Sequence, residues 1–265
     1  MNIRRIWGVT FSPTQTSKKI VNAINSAFPD AEHDSLDLTY PGNIRKKAFD
    51  SDDLVVIGVP VYAGRVSPLA VQRLSTIKGN STPAILVVLY GNREYEDALI
   101  ELRDLAVAAS FIPVAASAFI GEHSFSSPQA PIAPGRPDDS DLALAASFGR
   151  KIFQRISQLQ DFSKLSSLGV PGNIPYKEGM ESPPVTPKVD QAACTLCGMC
   201  ISTCPGEAIT IENNLVMDVE HCIFCCACIK TCPEDAVSID APPLLEKKQW
   251  LHKNCARRKE PELYF

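Results

Sequence analysis

The chain has 265 residues, of which 45% are hydrophobic and 21% charged, and this composition suits a globular protein of one or two domains. Its formal net charge of −4 argues against nucleic acid as a partner, because a polyanion requires a basic binding surface. No run is long and apolar enough for a membrane span, and the start, MNIRRIWGVTFSPTQTS, lacks the apolar core of a signal peptide. We therefore expect a cytoplasmic protein in a reducing compartment, where clustered cysteines bind metals more often than they form disulfides.

The first part of the chain alternates β-rich runs with helical patterns. The predicted strands are IRRIWGVTF, the weaker EHDSLDL, DLVVIGVPV, PAILVVLYG and PVAASAFIG, and the apolar ones are typical of strands buried on both faces of a parallel sheet. The predicted helices are SKKIVNAINSAF, PLAVQRLSTIKG, EDALIELRDLAVAAS and DLALAASFGRKIFQRISQL. This alternation predicts an α/β fold, with a doubly wound parallel sheet and helices on both faces.

Three loops follow the carboxyl ends of predicted strands, where open α/β sheets bind ligands. The first, SPTQTS, places four hydroxyls at a helix N-terminus, which suits a phosphate but also serves as an ordinary N-cap turn. The other two, PVYAGR and YGNREY, combine aromatic residues with a glycine and offer flat surfaces to an aromatic ring. The glycine-rich motifs for Mg-nucleotides and dinucleotides do not occur. The candidate cofactor-binding residues are Ser12, Thr14, Gln15, Thr16, Ser17, Pro60, Tyr62, Ala63, Gly64, Tyr90, Gly91, Asn92, Arg93 and Tyr95.

This first part resembles the flavodoxins, whose phosphate loop reads hydroxyl-x-Thr-Gly-x-hydroxyl. Ser12, Thr14 and Ser17 match that pattern, whereas Gln15 stands where the family favours glycine. The resemblance implies FMN as cofactor, a strand order of 2-1-3-4-5, and an isoalloxazine ring flanked by the second and third loops. His123, which follows the last predicted strand, is expected to be structural rather than catalytic.

A stretch rich in proline and glycine, GVPGNIPYKEGMESPPVTPK, separates this part from the rest and predicts an extended connector. We predict a first domain over residues 1–168, a linker over 169–188, a cysteine-rich domain over 189–241 and a basic tail over 242–265. The cysteine-rich segment carries eight carboxylates and one lysine. The tail is expected to be solvated, with packing on the anionic domain or contact with a partner as alternatives.

Eight of the ten cysteines form two copies of the spacing C-x₂-C-x₂-C-x₃-C-P at an offset of 28 residues. The copies are CTLCGMCISTCP and CIFCCACIKTCP, and the likeness continues into AITI and AVSI, which predicts a small pseudo-twofold domain. The spacing is that of two-cluster ferredoxins, in which the cysteine before proline ligates the other [4Fe–4S] cluster. It assigns Cys194, Cys197, Cys200 and Cys232 to cluster 1, and Cys222, Cys225, Cys228 and Cys204 to cluster 2.

Zinc and disulfides account for this pattern less well. Zinc needs only two C-x₂-C pairs, and disulfides need an oxidising compartment. So short a segment has little apolar core, so we expect cluster binding and folding to be one event. Cys226 is expected to be a small packed residue that points away from the iron, and Cys255 a free thiol.

The whole chain resembles the flavodoxin–ferredoxin fusions known as EFR-type ferredoxins of anaerobic bacteria and archaea. This resemblance implies an electron carrier that passes electrons between two [4Fe–4S] clusters and FMN and exchanges them with redox protein partners. Two alternatives stay open. One is a reductase in which FMN reduces a bound small molecule, with Tyr62 or His123 as proton donor. The other is a ferredoxin whose first domain binds no flavin and docks a partner.

Overall fold

The strands and helices of the first part of the chain follow the apolar patterns of its sequence. The computed structural model describes residues 3–159, 162, 167–178 and 184–265. In these residues the strands are β1 (Arg5–Thr10), β2 (Glu32–Asp37), β3 (Lys47–Ala48), β4 (Asp53–Tyr62), β5 (Arg65–Val66), β6 (Ile77–Lys78), β7 (Thr82–Tyr90), β8 (Phe111–Ile120), β9 (Lys188–Val189), β10 (Ile209–Ile211), β11 (Leu215–Met217), β12 (Val237–Ser238) and β13 (Glu262–Tyr264). The α-helices are α1 (Thr16–Asn25), α2 (Pro68–Leu74), α3 (Ala98–Ala108), α4 (Asp139–Ser157), α5 (Met199–Ser202), α6 (Ala227–Thr231) and α7 (Pro242–Asn254).

The main sheet has the strand order β2-β1-β4-β7-β8-β13. The strands from β2 to β8 are parallel, and along the sheet they are the second, first, third, fourth and fifth of the predicted strands. This confirms the predicted doubly wound fold and its 2-1-3-4-5 order. β4, β7 and β8 contain no exposed residue, as expected of central strands covered on both faces.

Alternate residues of the central strands point into two separate apolar cores. In β4, Val55 and Ile57 face the core under α2 and α3, whereas Leu54 and Val56 face the core under α1 and α4. An Asp138 capping box begins α4 and fixes where that helix starts. None of the described helices is long and apolar enough to span a bilayer.

The two cysteine runs fold as two copies of one unit. Each run forms a short helix and a short strand at repeat-equivalent positions: α5 with β10, and α6 with β12. The copies also exchange equivalent hydrogen bonds, because Asp190 N donates to Ala236 O at 2.8 Å and Asp218 N donates to Ala208 O at 2.7 Å. The sequence repeat thus corresponds to a pseudo-twofold arrangement.

The described part of the predicted linker is fixed to α3. Residues 167–178 form no helix or strand. The Asp97 carboxylate accepts hydrogen bonds from Asn173 N at 2.8 Å and Lys177 N at 2.7 Å, and Tyr176 Oη donates to Asp104 at 2.5 Å. Residues 179–183 of the predicted linker lie outside the described residues.

The expectation of a solvated tail is wrong, because residues 242–265 form α7 and β13. β13 pairs antiparallel with β8, whose outer edge would otherwise present unpaired backbone groups. Between α7 and β13, Asn92 Nδ2 donates to Cys255 O at 2.6 Å and to Arg257 O at 2.8 Å. The tail therefore packs on the first domain, with β13 as an edge strand of its sheet and Leu251 of α7 packed against Ile132.

Candidate functional site

Two cavities in the cysteine-rich part are each lined by four of the motif cysteines. The first cavity takes three cysteines from the first run and one from the second, and the second cavity has the reverse composition. The first is lined by Cys194, Cys197, Cys200 and Cys232, and the second by Cys204, Cys222, Cys225 and Cys228. This is the grouping that the spacing predicts.

Left-handed residues let each run wrap around its cavity. Leu196 and Gly198 have φ of 55° and 76°, and their repeat equivalents Phe224 and Cys226 have φ of 51° and 60°. Cys226 therefore occupies the position that glycine holds in the first run, at a cost of about 1 kcal/mol. It is buried, is among the residues that line the second cavity, and its Sγ donates to Phe224 O at 3.6 Å.

Hydrogen bonds and burial act on the cysteine sulfurs. The last cysteine of each run accepts a hydrogen bond at 3.3 Å from the backbone N–H four residues later, Cys204 from Ala208 and Cys232 from Ala236. Burial raises the pKa of Cys225 to about 12 in the ligand-free chain. Metal ligation requires the thiolate, so loading this cavity is coupled to proton release.

Among the described residues, no three His, Cys, Asp or Glu side chains come together closely enough to hold a single metal ion. A tetrahedral zinc site would need such convergence. Two cavities that each have four cysteines around them fit a polynuclear cluster.

The second cavity faces the carboxyl ends of the sheet. Ile223 packs against the core under α2 and α3, and the Phe224 ring meets Phe125 edge-on at 5.8 Å. Lys230, the lysine of the cysteine-rich segment, donates at 2.8 Å to both Glu122 Oε1 and Ser126 O. The second cysteine run is therefore fastened to the loop after β8.

Tyr62 is the last residue of β4. Its pKa is raised well above the ordinary value, mainly by burial and then by the charges of Cys225, Cys226 and Cys222. The aromatic residue predicted to contact a flat ligand is thus within electrostatic range of the second cysteine run.

The loop after β1 is shaped for an anion. Gln15 has φ of 62°, so it keeps the left-handed turn at the position where flavodoxins favour glycine. Ser12 Oγ accepts from Lys18 N at 3.2 Å, and the Thr14 and Thr16 hydroxyls lie 3.4 Å apart. The N-cap residue of α1, Gln15, makes no side-chain capping hydrogen bond. Ser17 Oγ is buried and has no hydrogen-bond partner among the described residues. An orphaned hydroxyl in the first turn of a helix fits a phosphate oxygen.

The loop after β4 is held tightly by the loop after β7. Ala63 and Gly64 are both left-handed, with φ of 52° and 85°. Gly64 O accepts from Asp97 N at 3.0 Å, and a Cβ on Gly64 would come within 1.7 Å of the Glu96 carboxylate. Glycine is therefore required at this position by both conformation and space. Pro60, which precedes this turn, is half-buried in β4.

The loop after β7 is occupied by the C-terminal segment. Tyr95 Oη donates to Glu262 at 2.8 Å and lies 2.8 Å from Tyr264 Oη, while Asn92 binds the carbonyls named above. Tyr90 is buried against Tyr95, with ring centroids 5.4 Å apart. The side chains of Asn92, Tyr95 and Tyr90 thus all have contacts within the chain itself. Arg93 forms an ion pair with Glu96.

His123 packs against Gly91, where a Cβ would come within 2.3 Å of the imidazole. Its Nδ1 accepts a hydrogen bond from Phe125 N at 3.0 Å. Burial, with the nearby charges of Arg93, Lys230 and Lys247, lowers the pKa of His123 to about 4. The imidazole is therefore neutral at pH 7.

Sequence reasoning missed the residues that join the two parts, namely Arg73, Phe125, Phe224 and Lys230. Arg73 Nη2 donates to Pro205 O, 132 positions away in the chain. Lys230 could have been noticed in the sequence, because it is the one lysine in a segment that has eight carboxylates.

Residues 186–233 match the family described as 4Fe-4S dicluster domain, and this range contains all the cysteines of both cavities. No curated protein matches the chain. Among solved structures, the chain is similar to a flavodoxin from the domain Archaea, with 11% identity and a TM-score of 0.37 over 58% of this chain and 99% of the other. It is similar to a Streptococcus pneumonia TIGR4 flavodoxin, with 11% identity and a TM-score of 0.40 over 57% of this chain and 99% of the other. It is also similar to rubredoxin oxygen:oxidoreductase from the anaerobe Desulfovibrio gigas, with 11% identity and a TM-score of 0.38 over 58% of this chain and 35% of the other.

The cysteine-rich part is thus a 4Fe-4S dicluster domain, joined to a doubly wound domain with the flavodoxin-like strand order. Iron–sulfur clusters of this type carry single electrons, so the chain has a redox role.

Proposed function

We propose that the chain is an electron carrier in which FMN, cluster 2 and cluster 1 form one series of redox centres that exchanges electrons with other redox proteins. The observation that carries this proposal is the position of the second cavity at the carboxyl ends of the sheet: Ile223, which lines it, packs against the core under α2 and α3, and Phe224 meets Phe125 in the loop after β8. Ligands of doubly wound sheets bind at those strand ends. Cluster 2 is accordingly the centre next to the flavin.

The cluster ligands of this proposal are the two sets of four cysteines that line the cavities. Their grouping, the backbone hydrogen bonds to Cys204 and Cys232, and the left-handed turns support the assignment. The dicluster match covers all eight residues.

The FMN phosphate would be held by the loop after β1, through Thr14, Thr16 and Ser17 and the amides at the start of α1. Tyr62 and the Ala63–Gly64 turn would contact the ring. When bound, FMN supplies a centre that accepts one or two electrons. The chain's own contribution is to hold that centre beside the second cysteine run.

Cluster 1 is the outward end of the series. Cys197 is exposed, and Leu196 and Met199 beside it are 40% and 44% exposed. The cysteine-rich segment carries eight carboxylates and one lysine. An exposed apolar surface with an acidic surround suits transient contact with a redox protein that has a basic rim.

A small-molecule reductase is less well supported. The two side chains considered as proton donors are poorly suited, because His123 is neutral at pH 7 and the pKa of Tyr62 is raised far above its ordinary value. Saturable turnover with a small acceptor, dependent on these residues, would favour the reductase.

The proposal is tested on protein purified without air, by measuring iron, sulfide and flavin together with EPR spectra of the reduced state. Two [4Fe–4S] signals and tight FMN binding are expected. The double substitution Thr14→Ala/Thr16→Ala should weaken FMN binding by roughly 100- to 10,000-fold, since two hydrogen bonds to a charged group are lost. Unchanged affinity would refute the phosphate placement, and a colourless, zinc-loaded protein would refute the clusters.

A further inference from the structure

A buried arginine joins the two parts of the molecule beside the second cavity. Arg73, on α2, is 5% exposed. Its Nη1 donates to Leu38 O at 2.7 Å and to Thr39 O, and its Nη2 donates to Pro205 O. Pro205 follows Cys204 directly, and both line the second cavity. The guanidinium is therefore bonded to the residue next to a proposed ligand of cluster 2.

This guanidinium has no carboxylate partner. Within the described ranges its acceptors are main-chain carbonyl oxygens, its ring neighbour is Phe11 at 5.5 Å, and no carboxylate lies within ion-pair distance. Asp37, Glu207 and Cys204 act on it through space only. Burying an unpaired cation is energetically unfavourable, so proteins place such groups beside negative charge.

We propose that Arg73 is the counter-cation of cluster 2 and raises the reduction potential of that cluster. This inference rests on the proposed function, because it requires clusters held by the two sets of cysteines. A [4Fe–4S] core with four thiolate ligands is an anion, and its one-electron reduction adds a further negative charge. A fixed cation stabilises the reduced state more than the oxidised state, and net charge is one of the factors that set cluster potentials.

Cluster 1 has no equivalent cation in the described structure. The repeat equivalent of Pro205 is Pro233, which lines the first cavity, and no described arginine or lysine donates to its carbonyl. The two clusters, alike in sequence, are therefore unequal in charge environment. The electron is held preferentially at the cluster that adjoins the sheet.

The same guanidinium is also linked, through Thr39, to the loop after β1, where we propose that the FMN phosphate binds. Thr39, whose carbonyl accepts from Arg73, uses its hydroxyl to accept a hydrogen bond at 2.8 Å from Ser12 N, at the start of the loop after β1. A continuous path of hydrogen bonds thus connects that loop with Pro205. Arg73 is a positioning residue as well as a charge.

The test is an anaerobic redox titration of the cluster-loaded chain, followed by EPR. Arg73→Gln should move one of the two cluster reduction steps to lower potential and leave the other in place. Arg73→Lys keeps the charge and should keep both steps near their wild-type values. Arg5→Gln is the matched control, because Arg5 pairs with Glu32 at the start of β1, the opposite end of the sheet. It should move neither step.

The inference is overturned if Arg73→Gln leaves both steps unchanged, or shifts both by the same amount. It is also overturned if Arg73→Lys lowers one step as far as Arg73→Gln does, since the charge is then not responsible. If the Arg73→Gln protein does not take up iron, the Arg73→Lys protein decides the test. Cluster potentials near those of wild type then support the inference, and a shifted potential overturns it. Wild-type protein without two clusters would instead refute the proposed function.

Discussion

Ser17 offers the most discriminating test of the flavin site. Its hydroxyl lies in the first turn of α1, is fully buried, and has no hydrogen-bond partner among the residues that the structure describes. Native proteins seldom leave such groups unpaired, because an unsatisfied buried hydroxyl costs about 1–3 kcal/mol. A phosphate oxygen at the end of α1 would satisfy it.

Ser17→Ala should therefore act in opposite directions on stability and binding. Without flavin, the free energy of unfolding should stay constant or rise by up to about 1–3 kcal/mol, since the orphaned group is gone. FMN binding should weaken by roughly 10- to 100-fold, which corresponds to about 1.5–3 kcal/mol for one hydrogen bond to a charged acceptor. Urea denaturation and FMN fluorescence titration of the cluster-loaded protein measure the two quantities.

The matched control is Ser26→Ala, at the other end of the same helix. Ser26 Oγ is exposed and donates to Ala23 O at 2.8 Å, so its loss should leave FMN affinity unchanged. If Ser17→Ala binds FMN within about twofold of wild type, the phosphate is not held by this hydroxyl. If it destabilises the flavin-free chain by more than about 1 kcal/mol, the hydroxyl already has a partner and the reasoning fails.

Two further predictions concern the surroundings of the site. His123 has a folded pKa of about 4 against an ordinary value of 6.5, so the unfolded chain binds more protons between those pH values and stability falls with falling pH. Between pH 7.5 and pH 5 the free energy of unfolding should fall by about 2 kcal/mol less in His123→Gln than in wild type, as measured by urea denaturation. If the free energy of unfolding depends on pH equally in both proteins, the imidazole is not buried as described. Asp97→Asn places an amide where Lys177 N donates, so the connector over residues 167–178 should detach at a cost of about 1–3 kcal/mol. Limited proteolysis should then cut the connector faster than in wild type; an unchanged rate would show that other contacts hold it.

The central sheet was predictable because its signal is local. β4 and β7 are continuous apolar runs, and alternate residues of each belong to one core or the other. β13 was not predictable, because Glu262–Tyr264 is three residues long and polar at its start. Its strand conformation comes from the free edge of β8, and that edge exists only in the folded sheet.

The site shows the same division between local and long-range information. The grouping of cysteines around two cavities could be read from their spacing, because three ligands of each set lie within seven consecutive residues. The contacts of Asn92 and Tyr95 could not be read, since their partners lie more than 160 positions away. The loop after β7, which has the sequence features of a ligand site, therefore binds the chain's own C-terminal segment through Asn92 and Tyr95.

Docking on the sheet also breaks the symmetry that the sequence repeat suggests. Leu196 is 40% exposed, whereas its repeat equivalent Phe224 is 8% exposed, and Met199 at 44% contrasts with Ala227 at 1%. Solvent exposure and nearby charge set the potentials of iron–sulfur clusters, so two nearly identical cysteine runs become two different centres. The difference arises because Phe224 packs against Phe125 in the loop after β8, whereas Leu196 and Met199 stay exposed. In the series of centres that we propose, cluster 2 is therefore the buried end and cluster 1 the exposed end, and packing on the sheet creates this difference without any change in the cysteine spacing.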